Sequence, residues 1–114
     1  MRRDDAFLLD MLLSASDAEQ FVQAMRFQDF EKSRLHQLAV LKALETIGEA
    51  AAKVSIHQQI EHPEIPWREI IGLRHKLVHD YFEVDLKKIW ETLQVDLPQL
   101  IRMLKAIVPS SEPG

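Results

Sequence analysis

Residues 72–85, with the sequence GLRHKLVHDYFEVD, gather four side chains that can do acid–base or anion-binding chemistry. They are Arg74, His75, His79 and Tyr81, set within an otherwise leucine-rich helical pattern. An arginine offers paired N–H donors to a phosphate, and a histidine gains or loses a proton near neutral pH. These residue types and this spacing allow three interpretations: helix-end electrostatics, a metal site, or chemistry on a phosphate.

The first two interpretations need no nucleic acid. Basic residues near the C-terminus of a helix interact favourably with the helix dipole, so the cluster fits a purely structural role. Histidines four positions apart share a helical face and can bind zinc, as HKLVH would allow. However, no acidic residue lies between His75 and His79, and the neighbouring Arg74 would repel a dication. We therefore expect no metal and no cofactor, and we expect His57 and His62 to be surface residues.

The third interpretation is metal-independent cleavage of RNA. The 2′-hydroxyl of the substrate would attack phosphorus, with His79 as general acid or base and Arg74 stabilising the charge that builds on the phosphate. One arginine and one histidine provide few catalytic groups for an active site. Two such sets on opposite sides of a two-fold axis would make a fuller one, and this favours a homodimer.

Helical periodicity predicts the elements that carry this cluster. The chain reads as all-α, an up-down bundle of four to five helices. Apolar residues recur at helical spacing over residues 4–25, which predicts the first helix. We expect residues 26–33 to form a turn, with Asp29 or Ser33 as N-cap for a long second helix over residues 34–59.

Proline and aspartate residues mark the second half of the chain. Two prolines near residue 66 end the second helix and start a third, which should run to about Tyr81. Asp85 is the predicted N-cap of the fourth helix. Pro98 should kink that helix or divide it after Asp96. The domain is expected to cover residues 1–108, followed by a disordered tail over 109–114.

Length and composition limit the classes of protein that remain. The 114 residues suffice for one domain, and 46% apolar with 28% charged residues is typical of a globular protein. The chain has no cysteine, which removes disulfides and thiolate chemistry and favours a reducing, cytoplasmic location. No apolar run is long enough for a membrane span. The net charge of −4 argues against nonspecific binding of nucleic acid over the whole surface.

Several segments together resemble one family. LRHKLVHDYF places arginine, four residues, histidine, one residue and tyrosine in the order found in HepT-like proteins, a branch of the HEPN superfamily. The early DDAFLLDMLLSA, the central LETIGEAAAKV and the sequence from PEIPWREIIG onwards are similar to the same family in the same order. The resemblance covers nearly the whole chain.

The resemblance implies a homodimeric HEPN bundle that acts as a metal-independent endoribonuclease toxin. It further implies a partner, an MntA-like nucleotidyltransferase antitoxin that transfers AMP to the motif tyrosine. Carried over to this chain, Arg74 and His79 are catalytic and Tyr81 is the modified residue. Relatives commonly have asparagine where this chain has His75, which could preserve a hydrogen bond, add a titrating group or mark a weakened enzyme.

Two other functions remain compatible with the sequence. One is a noncatalytic HEPN dimer that binds a nucleotidyltransferase partner, a nucleotide or RNA without cleaving it, to which the acidic net charge and His75 lend weight. The other is a structural helical protein, in which changes to the motif would have no consequence. Cleavage of RNA by the unmodified dimer without divalent metal would separate the first function from both.

Overall fold

The computed structural model describes residues 3–79 and 85–109, and for residues 74–79 the backbone alone. These residues form seven α-helices and one π-helical segment, and they contain no strand. The all-helical prediction is thus confirmed for the described part of the chain. In chain order the elements are α1 (Arg3–Phe21), α2 (Phe27–Lys32), α3 (Arg34–Lys53), α4 (Ile56–Glu61), α5 (Trp67–His79), α6 (Leu86–Glu91), the π-helical segment Thr92–Asp96 and α7 (Leu97–Ile107).

Four long helical stretches build the bundle: α1, α3, α5 and the run from α6 through the π-helical segment to α7. α3 lies at its centre, with α1 and α5 both packed along it, and α7 packs on α1. The apolar periodicity of the first helix is confirmed, because Leu8, Met11, Ala15 and Ala18 are buried. Phe30, Ile65 and Leu104 are also fully buried in the common core. In the described part of the chain, no helix is both long enough and apolar enough to cross a membrane.

The first helix ends four residues earlier than the predicted boundary at residue 25. Ala24 adopts a left-handed backbone conformation with φ of 68°. The N–H of Met25 donates to the carbonyl of Val22 at 3.0 Å, closing the turn after the helix. Glycine usually fills such a position, because a side chain is strained there, so the sequence carries no clear stop signal at this point.

The turn predicted over residues 26–33 is wrong in part, because α2 occupies most of it. The N–H of Arg26 donates to Asp29 Oδ2 at 3.0 Å and so secures the first turn of α2. This hydrogen bond is the largest cause that lowers the pKa of the Asp29 carboxyl, followed by the charge of Arg26. Phe30 is fully buried and its ring lies 5.4 Å from that of Trp90, centroid to centroid. The short helix therefore exists because it packs on a distant element.

The structure distinguishes between the two N-caps proposed for α3. Ser33 caps it, because its Oγ accepts from the N–H of His36 at 3.2 Å. Asp29 instead lies inside α2. The Ser33 cap is confirmed and the Asp29 cap is wrong.

The second helix does not continue to residue 59 as predicted. α3 stops at Lys53, and Val54 and Ser55 are extended before α4 starts. Ser55 Oγ accepts from the N–H of Gln58 at 3.2 Å and caps α4. Asp4 Oδ1 and Oδ2 accept from the N–H and the hydroxyl of Ser55, at 2.9 and 2.7 Å. The start of α1 thus stabilises a break that lies 51 residues further along the chain.

The division of the last helix is confirmed. A π-helical segment ends at Asp96, and α7 begins at Leu97 with Pro98 in its first turn. Proline is tolerated there because the first N–H groups of a helix have no intrahelical partner. The tail expected over residues 109–114 falls almost entirely outside the described residues, except for an exposed Pro109. The single-domain boundary at residue 108 stays a prediction.

Candidate functional site

The helix that carries the predicted site is secured at its start by a tryptophan. Trp67, the first residue of α5, is 7% exposed, and its Nε1 donates to the carbonyl of His62 at 3.0 Å. The N–H of Ile70 donates to the carbonyl of Pro66 at 3.0 Å, which closes the first turn. α5 then packs along α3. The position of every later residue on α5 therefore depends on this buried tryptophan.

Three of the four predicted site residues lie on α5, and the helix continues through His79. At about 100° and 1.5 Å per residue, Arg74 and His79 are about 140° apart around the helix axis and about 7.5 Å apart along it. His75 and His79 are only about 40° apart and lie on one face. Tyr81 falls outside the described residues. The helix backbone thus brings the two histidine positions together but separates the arginine from His79.

The residues that follow the cluster lead into α6. Asp85 caps this helix as predicted, because its Oδ1 accepts from the N–H groups of Lys87 and Lys88 at 3.0 and 3.3 Å. The capping role favoured for Asp85 is confirmed.

His57 and His62, which precede α5 in the chain, each lie close to a neighbouring glutamate. His57 Nε2 lies 3.1 Å from Glu61 Oε1, and the His57 side chain is 79% exposed, as expected for a surface residue. His62 is less exposed than expected, at 25%, with Nδ1 at 3.6 Å from Glu64 Oε2. The described side chains include no group of three or more His, Asp or Glu that could hold a metal ion. His75 and His79 are not among those side chains, so the argument against a metal there stays a prediction.

A groove that the sequence did not predict runs beside α5. It has a volume of about 740 Å³ and lies between α5 and the run α6–α7, with α3 at its base. Leu44 and Ile47 of α3 contribute to its apolar floor, and Gly72 lies on its α5 wall. One signal in the sequence could have indicated it. On α6 and α7, residues spaced three and four apart include polar side chains. Nothing in the sequence indicated that the described helices leave this face open.

Comparisons with known proteins agree on one family. A family model described as "Ribonuclease HepT-like" matches residues 11–107, from the core of α1 to the last residue of α7. A protein of Methanocaldococcus jannaschii named a "putative RNase" is 35% identical over 107 residues, covering 94% of this chain and 92% of the relative. A "probable ribonuclease HepT" of Thermococcus cleftensis is 40% identical over 94 residues, covering 82% of this chain and 86% of the relative. No solved structure matches the chain.

A third relative comes from another organism. It is a "putative RNase" of Caldanaerobacter subterraneus, 38% identical over 87 residues, which cover 76% of this chain and 78% of the relative. The matched range of the family model includes all of α5 and the segment that follows it. Since the family model matches most of the chain and the three relatives are 35–40% identical to it over the aligned residues, the chain belongs to the ribonuclease HepT-like family.

Proposed function

We propose that the protein is the toxin component of a toxin–antitoxin pair and acts as a metal-independent endoribonuclease. The observation that carries this proposal is the family match over residues 11–107, together with relatives named as ribonucleases. Within that range, Arg74, His79 and Tyr81 fit the spacing of arginine, four residues, histidine, one residue and tyrosine. The proposal assigns chemistry to these three residues.

In the proposed reaction the 2′-oxygen of RNA attacks the adjacent phosphorus and the bond from phosphorus to the 5′-oxygen breaks. His79 either removes the 2′-hydroxyl proton or donates a proton to the departing oxygen. Arg74 stabilises the negative charge on the phosphate oxygens as the bond forms. The products are a 2′,3′-cyclic phosphate and a 5′-hydroxyl, and no metal takes part.

The separation of Arg74 and His79 on α5 supports a site shared between two subunits. An angle of about 140° around one helix is unfavourable for two side chains that must meet at one phosphate. A two-fold homodimer would bring Arg74 of one protomer near His79 of its partner, which removes this difficulty. We therefore include the homodimer in the proposal.

Control of the activity is proposed to act through Tyr81. A cognate nucleotidyltransferase of the MntA kind would transfer AMP from ATP to the Tyr81 oxygen, releasing pyrophosphate. The added phosphate and adenosine bring negative charge and bulk to the segment that follows α5, where RNA phosphate would otherwise bind. Tyr81 is the single tyrosine of the chain, so modification of tyrosine has one possible acceptor.

The test of the nuclease is cleavage of RNA by purified, unmodified protein in the presence of a chelator. Arg74→Ala and His79→Ala should each abolish cleavage and growth inhibition. The matched controls are Arg68→Ala, an exposed arginine of the same helix, and His57→Ala, an exposed histidine, both of which should leave cleavage intact. Cleavage by a folded double variant of Arg74 and His79 would contradict the proposal.

The test of the modification is the intact mass of the protein after co-expression with a nucleotidyltransferase of the MntA kind. Addition of AMP is expected on the wild type and absent from Tyr81→Phe. An adduct that persists on Tyr81→Phe would show that another residue accepts AMP.

A noncatalytic dimer that binds its partner, a nucleotide or RNA is the second candidate. The net charge of −4 favours it, because an acidic surface attracts RNA poorly. Unmodified wild-type protein that binds the nucleotidyltransferase but leaves RNA intact would support this candidate and exclude the nuclease.

A further inference from the structure

The central helix α3 carries a line of side chains on the face that points away from the core. Six residues recur there at alternating steps of three and four: Leu35, Leu38, Lys42, Glu45, Glu49 and Ala52. This spacing is that of the contact line between two helices that pack along their length. We call these residues the α3 seam. At 1.5 Å per residue the seam is about 26 Å long and spans most of the helix.

The described helices α1 and α5 pack on other sides of α3. Leu44 and Ile47, which are buried in the core, lie about 140–160° from Lys42 around the axis of α3. On the seam itself, Leu35 is 74% exposed and Leu38 is 38% exposed. The other seam residues are exposed or partly exposed. The seam therefore begins with an apolar surface, and an occupant that covered it would gain stability by removing it from water.

The charges on the α3 seam follow a definite order along the helix. Lys42 is followed by Glu45 and Glu49, one and two turns further on. Within the part of the chain that the structure describes, Lys42 and Glu45 make no ion pair. Glu49 Oε1 lies 3.9 Å from Lys53 Nζ, with the two side chains 46% and 56% exposed, so water screens this contact. Lys42 and Glu45 are thus available to pair with charges of an occupant.

The α3 seam is complementary to itself when one copy is reversed. Its midpoint falls between Lys42 and Glu45, so a two-fold axis at that point sets each lysine opposite the glutamate of the other copy. The same axis sets the large Leu35 opposite the small Ala52. A parallel arrangement would instead place lysine against lysine and glutamate against glutamate, which is unfavourable.

From this self-complementarity we infer that the α3 seam is a docking surface for a second copy of this chain. The two α3 helices run antiparallel about a two-fold axis at the midpoint of the seam. Lys42 of each copy pairs with Glu45 of the other, and the exposed leucines of each copy are covered by the C-terminal half of the other α3. A foreign helix has no comparable support, because the order of charges on the seam already matches its own reverse.

This contact is separate from the homodimer of the proposed nuclease. Leu44 and Ile47 lie on the side of α3 that faces the groove and α5, which is nearly opposite the seam. A dimer through the seam therefore leaves α5 outside the interface and does not bring Arg74 near His79 of the other copy. If both two-fold contacts form, the chain assembles into a tetramer.

The test measures the mass of the full chain in solution by light scattering and native mass spectrometry. Lys42→Glu makes the charges of the seam all acidic, and Glu45→Lys combined with Glu49→Lys makes them all basic. Each variant should weaken association by about tenfold or more, because like charges then meet across the axis. At a concentration where the wild type is assembled, each variant should have half the wild-type mass.

Matched controls carry the same changes of charge away from the seam. Lys105→Glu on α7, and Asp10→Lys combined with Asp17→Lys on α1, alter exposed positions and should keep the wild-type mass. Circular dichroism checks that all variants fold.

Mixing the acidic and basic seam variants gives the sharpest result. Because opposite charges then meet across the axis, the mixture should recover the wild-type mass although neither variant does so alone. An unchanged mass in Lys42→Glu, or a mixture that stays at half the wild-type mass, would overturn the inference. Failure of the nuclease homodimer gives a different outcome, a wild-type dimer with monomeric seam variants, and that outcome supports docking through the seam.

Discussion

At the scale of single residues, α5 carries two histidines for which we propose different roles. His75 and His79 lie about 40° apart on one helical face, so both can face the same surroundings. The family resemblance gives the general acid or base role to His79 and places His75 where relatives commonly have asparagine. An asparagine amide can orient a neighbour by hydrogen bonding but does not titrate near neutral pH. The two histidines should therefore respond differently to the same substitution.

His75→Asn is expected to keep RNA cleavage within about tenfold of wild type, whereas His79→Asn should lose the factor of about 10² to 10⁴ that a general acid or base contributes. The measurement is the rate of cleavage from pH 5 to 9. If His75 only orients other groups, the pH–rate profile of His75→Asn keeps both of its limbs. A loss of more than about a hundredfold in His75→Asn would give His75 a direct part in proton transfer.

At the scale of helices, the ends decide where the site lies. α5 is positioned by the buried Trp67 at its start, and α6 by the Asp85 cap that follows the motif. α1 stops at a turn in which Ala24 is strained, which allows α2 to fold back onto Trp90. Each of these ends can be tested by a substitution that changes only the local backbone or cap.

Replacing the Asp85 cap should distinguish its structural role from a functional one. Asp85→Ala is expected to lower the free energy of unfolding by about 1 kcal/mol, because two N–H groups of α6 lose their acceptor. Asp85→Asn should change it by much less, since asparagine is an equally good N-cap. Chemical denaturation measures both. A large loss in Asp85→Asn would mean that the carboxylate charge, rather than capping, is what stabilises the fold.

Ala24→Gly should raise the free energy of unfolding by about 0.5–1 kcal/mol, because glycine adopts the left-handed conformation without steric cost. The control is Ala39→Gly in the interior of α3, which should lower it by about 1 kcal/mol. Thermal or denaturant unfolding gives both values. If the two variants were destabilised alike, the left-handed turn at Ala24 would be excluded.

At the scale of the whole molecule, the described chain has one core, built around α3. Because Arg74 and His79 are separated around α5, we propose that the active site is complete only in a homodimer. The groove lies between α5 and α7, beside the helix that carries the motif.

Mixing two inactive variants tests the shared site directly. A heterodimer of Arg74→Ala and His79→Ala keeps one complete pair, Arg74 from one protomer and His79 from its partner, if the site forms across the two-fold axis. Random exchange of subunits should then restore about a quarter of wild-type cleavage, because about half of the dimers are mixed and each has one of two sites. No recovery, in a sample shown by mass spectrometry to contain mixed dimers, would place both residues of each site within one protomer.

The amino-acid sequence was enough to predict the helical class and those helix ends that a nearby side chain specifies. Ser33, Asp85 and Pro98 act within one turn of helix, so their effects could be predicted from spacing alone. Residues 26–33 and the break after Lys53 could not be predicted in this way. Their structures depend on the contact of Phe30 with Trp90, and on the hydrogen bonds from Ser55 to Asp4. The positions of Arg74 and His79 around the helix axis followed from helix geometry once α5 was known to continue through His79. The groove, in contrast, depends on how α5 and α7 pack, because in the described structure these two helices leave the face between them open. A helix cap is specified by a few neighbouring residues. Packing joins residues that are remote in the chain, and these come into contact only in the tertiary structure.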